Sequence, residues 1–367
     1  MLEIVFTGGP STGKTSVINP TIEYFKELGY KVIVVQEAAT IAINGGIKPF
    51  DPDGISGKLF QKIILKRQLV AEETARMAAK ELGDRTIILY DRGSLDGYAY
   101  VKKEEWDEVL RSENVSTREL LTKYDAILYL ENASQYFTKE NNAARYEKDA
   151  EDAALKGEKV LQSYIGHDNL VVIQPRERLK DKQQEVINII QNILGEPISI
   201  RDQRKYLVDD VDVEKISYAT KVVITQDYLK EENNLEYRVR SVDQEGDISY
   251  HYQVQKKLTD GTKEIISESL ISEREYLRYL ENKSDSFETI VKSRYSFVYN
   301  KQYYKLDVFD DGLMILEVNV TKENPVVELP NFLSVVEEVT NNQEYSNITI
   351  SRRRKKASYG KRKINSN

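Results

Sequence analysis

The chain has no cysteine, so no disulfide staples it and no thiolate can hold a metal. That absence leans mildly towards a reducing compartment. Its two histidines, His167 and His251, argue against a zinc site. No apolar run approaches the roughly 18 residues that a membrane helix needs, and the N-terminus reads as strand and loop rather than as a signal peptide. The expectation is a soluble, cytoplasmic protein. Net charge is −7 over 367 residues, but it is unevenly placed. The last 17 residues carry Arg352, Arg353, Arg354, Lys355, Lys356, Lys361, Arg362 and Lys363 without an acid. Without those eight positive charges the rest stands at −15. So acidic a body is a poor general nucleic-acid binder, and contact with anionic lipid or nucleic acid is expected of the tail alone.

Against these absences stands one dense motif. Gly8-Gly9-Pro10-Ser11-Thr12-Gly13-Lys14-Thr15 reads G-x-x-x-x-G-K-T, and Ser16 completes the candidate nucleotide-binding set. Gly8 and Gly13 let the backbone wrap so that successive N–H groups point at phosphate oxygens. Lys14 reaches the β/γ-phosphates and the Thr15 hydroxyl can ligate Mg²⁺. Leu2–Phe6 reads as a buried strand before the loop, and a helix follows it, adding its positive end to the site. Pro20 falls inside that helix, where it removes a backbone hydrogen bond and is expected to bend the axis.

Strands are predicted at Lys31–Gln36, Arg85–Tyr90, Asp125–Leu130 and Leu170–Gln174, with the longest helix between Ile55 and Leu82. This alternation predicts an α/β domain with a parallel sheet, closing on a helix near Leu194 and occupying residues 1–195. From 196 the period changes to two. Strands at Tyr218–Leu229, Leu235–Val242, Ile248–Leu258, Glu264–Leu270, Thr289–Tyr299, Tyr303–Phe309 and Met314–Val320 predict an antiparallel β-barrel over 196–350. Residues 351–367 read as a disordered basic tail.

Asp91 ends a strand where such folds hold Mg²⁺, and Arg92 beside it can hold a phosphate as a planar fork. Glu37, at another strand end, is the candidate base for an acceptor hydroxyl. Arg145 is the candidate arginine of a closing segment. In the second domain, alternation puts Glu236, Arg238 and Arg240 on one face, and Lys292 shares a face with Arg294. Lys205 and one of Lys256 and Lys257 add cations; Asp307 and Glu317 are the accompanying acids. Parity through His251, Gln253 and Gln255 favours Lys257, without settling the choice.

The loop, Glu37 in Q-E-A-A-T and Tyr90–Gly97 together resemble the P-loop AAA domains of the NadR/TRPL-translocation-defect type, over about residues 1–175. That resemblance implies ATP or GTP with Mg²⁺ held at Thr15 and Asp91. Arg204–Val208, Gln226–Leu229, Tyr237–Arg240, Ser293–Tyr295 and Leu316–Asn319 resemble a CYTH, or triphosphate-tunnel, domain. Active tunnel enzymes open with E-x-E-x-K, whereas here Arg201 and Gln203 replace the two glutamates, and a later E-x-E becomes Glu317-Val318-Asn319. The resemblance therefore implies a degenerate tunnel that grips phosphate without the metal-holding carboxylates. The leading expectation is a P-loop NTPase or small-molecule kinase that also takes a phosphate-bearing small molecule. The alternatives are a nucleotide-dependent switch engaging an anionic ligand such as a phospholipid or triphosphate, and a live tunnel triphosphatase. No N-K-x-D signature decides between ATP and GTP.

Overall fold

The computed structural model describes residues 1–10, 12–50, 53–131, 150–194, 202–230, 235–257, 263–320 and 326–364. The chain divides into two compact units. Met1–Asp202 form the first together with Val298–Tyr303 and Asn319–Val327; the remainder forms the second.

In the first unit β1 (Leu2–Gly8), β2 (Lys31–Val35), β3 (Thr86–Asp91), β4 (Ala126–Leu130) and β5 (Leu170–Ile173) form a parallel sheet in the order β2-β3-β1-β4-β5. The central strands are apolar on both faces because helices cover both, and β1 and β4 are buried throughout. The helices are α1 (Lys14–Glu27), α2 (Ala38–Asn44), α3 (Gly57–Leu82), α4 (Lys103–Ser112), α5 (Thr117–Thr122), α6 (Ala150–Tyr164) and α7 (Leu179–Ile193). The sheet reverses direction in sequence between β1 and β4, and the phosphate loop emerges from β1 at that switch point, where open α/β sheets bind ligands. Helix α1 runs through Pro20 without interruption. Pro20 has no N–H to offer the Ser16 carbonyl, which instead accepts from Gln183 Nε2 of α7 at 2.8 Å.

The second unit is a nine-stranded antiparallel sheet. Its strands are β6 (Asp202–Val211), β7 (Thr220–Tyr228), β8 (Leu235–Gln244), β9 (Asp247–Lys257), β10 (Lys263–Ile271), β11 (Ile290–Tyr299), β12 (Gln302–Phe309), β13 (Met314–Val320) and β14 (Leu333–Glu338). They lie in the order β10-β9-β8-β7-β11-β12-β13-β6-β14. Helix α8 (Glu273–Leu280) lays Tyr276 and Tyr279 on Tyr250 and Tyr252, with ring centroids 4.9 and 4.5 Å apart. The opposite face carries a buried row of polar side chains.

The tail corrects an expectation. Residues Asn347–Ile364 form a helix, α9, rather than a disordered segment. Ile350 and Ser351 are buried, and Arg354 pairs with Asp310 and Asp311, each at 2.7 Å. Composition read this stretch as solvated because its anchoring acids lie some forty residues earlier in the chain. Arg352, Arg353 and Lys356 are exposed.

Candidate functional site

The phosphate loop is shaped by residues that no side chain could replace. Gly8 has φ 145°, and a Cβ there would stand 2.3 Å from the Leu130 carbonyl oxygen. Gly13, at the N-cap of α1, is left-handed with φ 77°. Lys14 donates to the Gly9 carbonyl at 3.3 Å. Burial, followed by the neighbouring Arg92, lowers the Lys14 pKa to about 8. An ammonium so poorly solvated has much to gain from an anion. Thr15 and Ser16 are exposed at the cavity wall. Thr12 has a buried hydroxyl without a hydrogen-bond partner among the described residues. Ser11 lies outside the described residues.

Pro10, Thr12, Lys14 and Thr15 line a cavity of about 450 Å³. Glu37, Asp91 and Arg92 line it too, as do the apolar Phe60, Ile64, Leu65 and Trp106. Arg92 is the hub of the charged cluster. Its backbone is left-handed, with φ 75°, an uncommon conformation for a side chain of that size. Its Nε donates to Glu37 Oε1 at 2.5 Å, and its Nη1 donates to Asp96 Oδ2 at 2.9 Å and to the Gly8 carbonyl at 3.1 Å. The strained turn is pinned from below. Gln68 Nε2 donates to the Arg92 carbonyl at 3.2 Å and to Glu72 at 3.1 Å, while the Ser94 hydroxyl donates to Glu72 at 2.7 Å. Asp96 also accepts from Thr7 Oγ1 and from the Tyr164 hydroxyl, both at 2.7 Å, which ties β1 and α6 to the same turn.

Glu37 accepts from Thr40 Oγ1 at 2.6 Å as well as from Arg92. Burial works to raise its pKa, but Arg92 and Lys14 outweigh burial and hold it below the ordinary carboxylate value. Asp91 shifts the other way: burial raises it, only partly opposed by Lys14. Its Oδ1 is buried and has no hydrogen-bond partner among the described residues. An orphaned carboxylate oxygen on a cavity shared with the Thr15 hydroxyl suits Mg²⁺, which takes one or two protein oxygens and completes its shell with phosphate oxygens and water. Among the described residues no group of three acidic or histidine side chains would cage a metal without the nucleotide.

Motif reading did not single out Asp96, Gln61, Gln68, Trp106 or Lys156 as site residues. The signal for two of them was present. Gln61, Gln68 and Glu72 recur on the buried face of α3 beside Phe60 and Leu65, where polar residues need a reason. Arg145 lies outside the described residues.

In the second unit the register places the expected side chains together. Glu236, Arg238 and Arg240 face Gln255, Gln253 and His251 across β8 and β9. Arg240 pairs with Glu268 at 2.7 Å, and Gln253 donates to the same carboxylate. Lys292 contacts Asp307 at 2.5 Å, and Arg294 grips Asp307 with Nε and Nη2 at 2.7 and 2.8 Å. Lys205 contacts Glu317 at 2.9 Å, and Gln203 reaches the same carboxylate at 3.4 Å. Burial works against the charges of Asp307 and Glu317, but the cations win and hold both acids well below their ordinary range. Burial lowers Lys292 and Arg238. Arg238 and Gln226 are buried and both donate towards the Tyr228 hydroxyl, while Arg238 Nε has no partner within hydrogen-bond geometry among the described residues. Lys256 is exposed; Lys257 follows the parity of Gln255, but its side chain lies outside the described residues, as does Arg201.

A parallel sheet with a glycine loop at its switch point, opening on Lys14, Thr15 and Asp91, defines a P-loop phosphate-binding domain. Residues 3–182 match the family model described as an AAA domain, so this stretch is a nucleotide-binding domain of the AAA type. No curated protein matches the chain. Among solved structures, the inorganic triphosphatase NE1496 is similar at 22% identity over 41% of this chain and 94% of that one, with a TM-score of 0.31. PH1819 protein from Pyrococcus horikoshii OT3 is similar at 16% identity over 36% of this chain and 80% of that one, with a TM-score of 0.27. No helix among the described residues is long and apolar enough to cross a membrane.

Proposed function

We propose that the first unit is a Mg²⁺-dependent, ATP- or GTP-using phosphotransferase that passes the γ-phosphoryl group to a small hydroxyl-bearing acceptor. The observation that carries this reading is the continuity of the cavity. The one cavity is lined by the phosphate loop, by the Glu37–Asp91–Arg92 cluster and also by the apolar Phe60, Ile64 and Trp106. A simple NTPase has no use for such room. Gln61 lines that cavity at 7% exposure and brings an amide to its apolar part. In this reading the loop amides and Lys14 hold the β- and γ-phosphates, and Thr15 with Asp91 would hold Mg²⁺. The ion supplies neutralisation of the phosphate oxygens. Arg92 offers Nη2 to the transferring group, and Glu37 takes the acceptor's hydroxyl proton. Incubating the protein with γ-labelled ATP or GTP across a pool of metabolites tests it. Label on one small molecule supports transfer; label only in free phosphate removes the acceptor.

One observation favours a nucleotide-dependent switch instead. Glu37 is already engaged by Arg92 and Thr40, as a structural tether would be. For the second unit we read a phosphate-ligand module rather than a hydrolase. Arg238 and Gln226 present buried donors beside the Tyr228 hydroxyl, whereas the acids Asp307 and Glu317 are already paired with cations. The exposed Arg352, Arg353 and Lys356 of α9 suit a salt-sensitive contact with an anionic lipid or nucleic acid.

A further inference from the structure

Helix α6 rests its backbone on the phosphate loop. A Cβ at Gly9 would lie 3.1 Å from the Gly157 Cα and 3.3 Å from the Ala153 carbonyl oxygen. The approach exists because both facing residues are glycines. Lys156, the residue before Gly157, lies on the wall of the same cavity as Lys14 and Arg92. Its ammonium stands 3.0 Å from Asp152, one turn back, and 5.7 Å from the centre of the Tyr100 ring. The side chain is 18% exposed, so the cavity wall takes most of its stem. Tyr100 also acts electrostatically on Arg92. On the other side, Lys14 touches the Gly9 carbonyl, the residue on which α6 rests. Three cations from three elements, α1, the turn after β3, and α6, therefore line the same cavity.

We propose that Lys156 is a catalytic cation that contacts the γ-phosphoryl group of the bound nucleoside triphosphate. This rests on the nucleotide reading above and deepens it. The amides of residues 12–15 and the N-terminus of α1 grip the inner phosphates, and Lys14 spans the β and γ groups. Lys156, on the wall of that cavity beside Tyr100, meets the outermost group. Transfer spreads charge over the three equatorial oxygens of that group, which cations from both sides stabilise. Asp152 holds the ammonium in place in the free protein, and the flexible lysine stem lets it turn to the phosphate.

The test is titration of the full-length protein with AMP-PNP and with ADP in Mg²⁺, alongside GMP-PNP and GDP. Lys156→Met should weaken the triphosphate analogue about tenfold or more, the scale of a charge-assisted hydrogen bond, and the diphosphate less than about twofold. Lys156→Arg should recover part of the loss. Asp152→Asn should keep the triphosphate preference, since Asp152 only holds the side chain. Equal weakening of both nucleotides, an unchanged preference in Lys156→Met, or Asp152→Asn reproducing Lys156→Met would each overturn the assignment. Wild-type protein that binds no nucleotide at all is a different result and removes the phosphate-loop reading itself. Melting temperatures within a few degrees of wild type show that each variant is folded.

Discussion

Arg92 Nε donates to Glu37 Oε1 at 2.5 Å, joining the ends of β3 and β2 across the mouth of the phosphate site. The bond sets two roles for Glu37 against each other, base and tether. Glu37→Gln separates them, because the amide oxygen still accepts from Arg92, although the amide nitrogen in place of Oε2 no longer accepts from Thr40, while the proton acceptor is gone. As a base, its replacement lowers transfer by about 10²–10⁴ with nucleotide affinity kept. Rates within a fewfold of wild type would favour the switch.

Lys14 gives a pH signature. Its free-state pKa of about 8 should rise once phosphate surrounds it, so binding takes up a proton when the pH lies above 8. Nucleotide affinity should therefore fall as pH climbs through that value. Calorimetry near pH 8.5 in buffers of different ionisation enthalpy should register the uptake, and Lys14→Ala should abolish it. The same variant should lose about 1.5–3 kcal/mol of nucleotide binding. The folding sign is opposite. The unfolded lysine keeps its proton to about 10.5, so raising pH from 8 to 10.5 relieves a folding cost rather than adding one.

Asp91→Asn should spare nucleotide binding far more than turnover, because its orphaned Oδ1 is suited to the ion rather than to the nucleotide. Turnover should also lose its response to Mg²⁺ concentration. Parallel loss of binding and turnover in a folded variant would remove Asp91 from the metal side.

The parts legible in sequence were those fixed by local chemistry. The glycine loop, the buried strands and the period-two β segments each follow from residues a few positions apart, and the strand bounds mostly agree within two residues. What escaped depends on partners distant in sequence. Gln68 has meaning only under the Arg92 carbonyl, and Arg354 only beside Asp310 and Asp311. Likewise, alternation put Arg240 and Arg294 on faces but named neither Glu268 nor Asp307 as partners.

Those pairings sharpen the expectation for the second unit. Lys292 and Arg294 are both committed to Asp307, and Lys205 to Glu317, so an incoming phosphate must compete with buried carboxylates. Arg238 and Gln226 are buried donors beside the Tyr228 hydroxyl rather than a carboxylate, and should be first to meet an anion. Binding of triphosphate should therefore be weak and independent of Mg²⁺, and hydrolysis should be absent or very slow. Hydrolysis needs an ion to position water, and Gln203 is neutral beside Glu317, whose carboxylate already pairs with Lys205. The measurement is phosphate release from inorganic triphosphate by full-length Lys14→Ala protein, which silences the first unit. Steady release in Mg²⁺ or Mn²⁺, lost on adding Arg238→Ala, would make the chain a two-site enzyme and overturn the non-hydrolytic reading. Metal-independent binding that Arg238→Ala weakens, with no release, is the expected result.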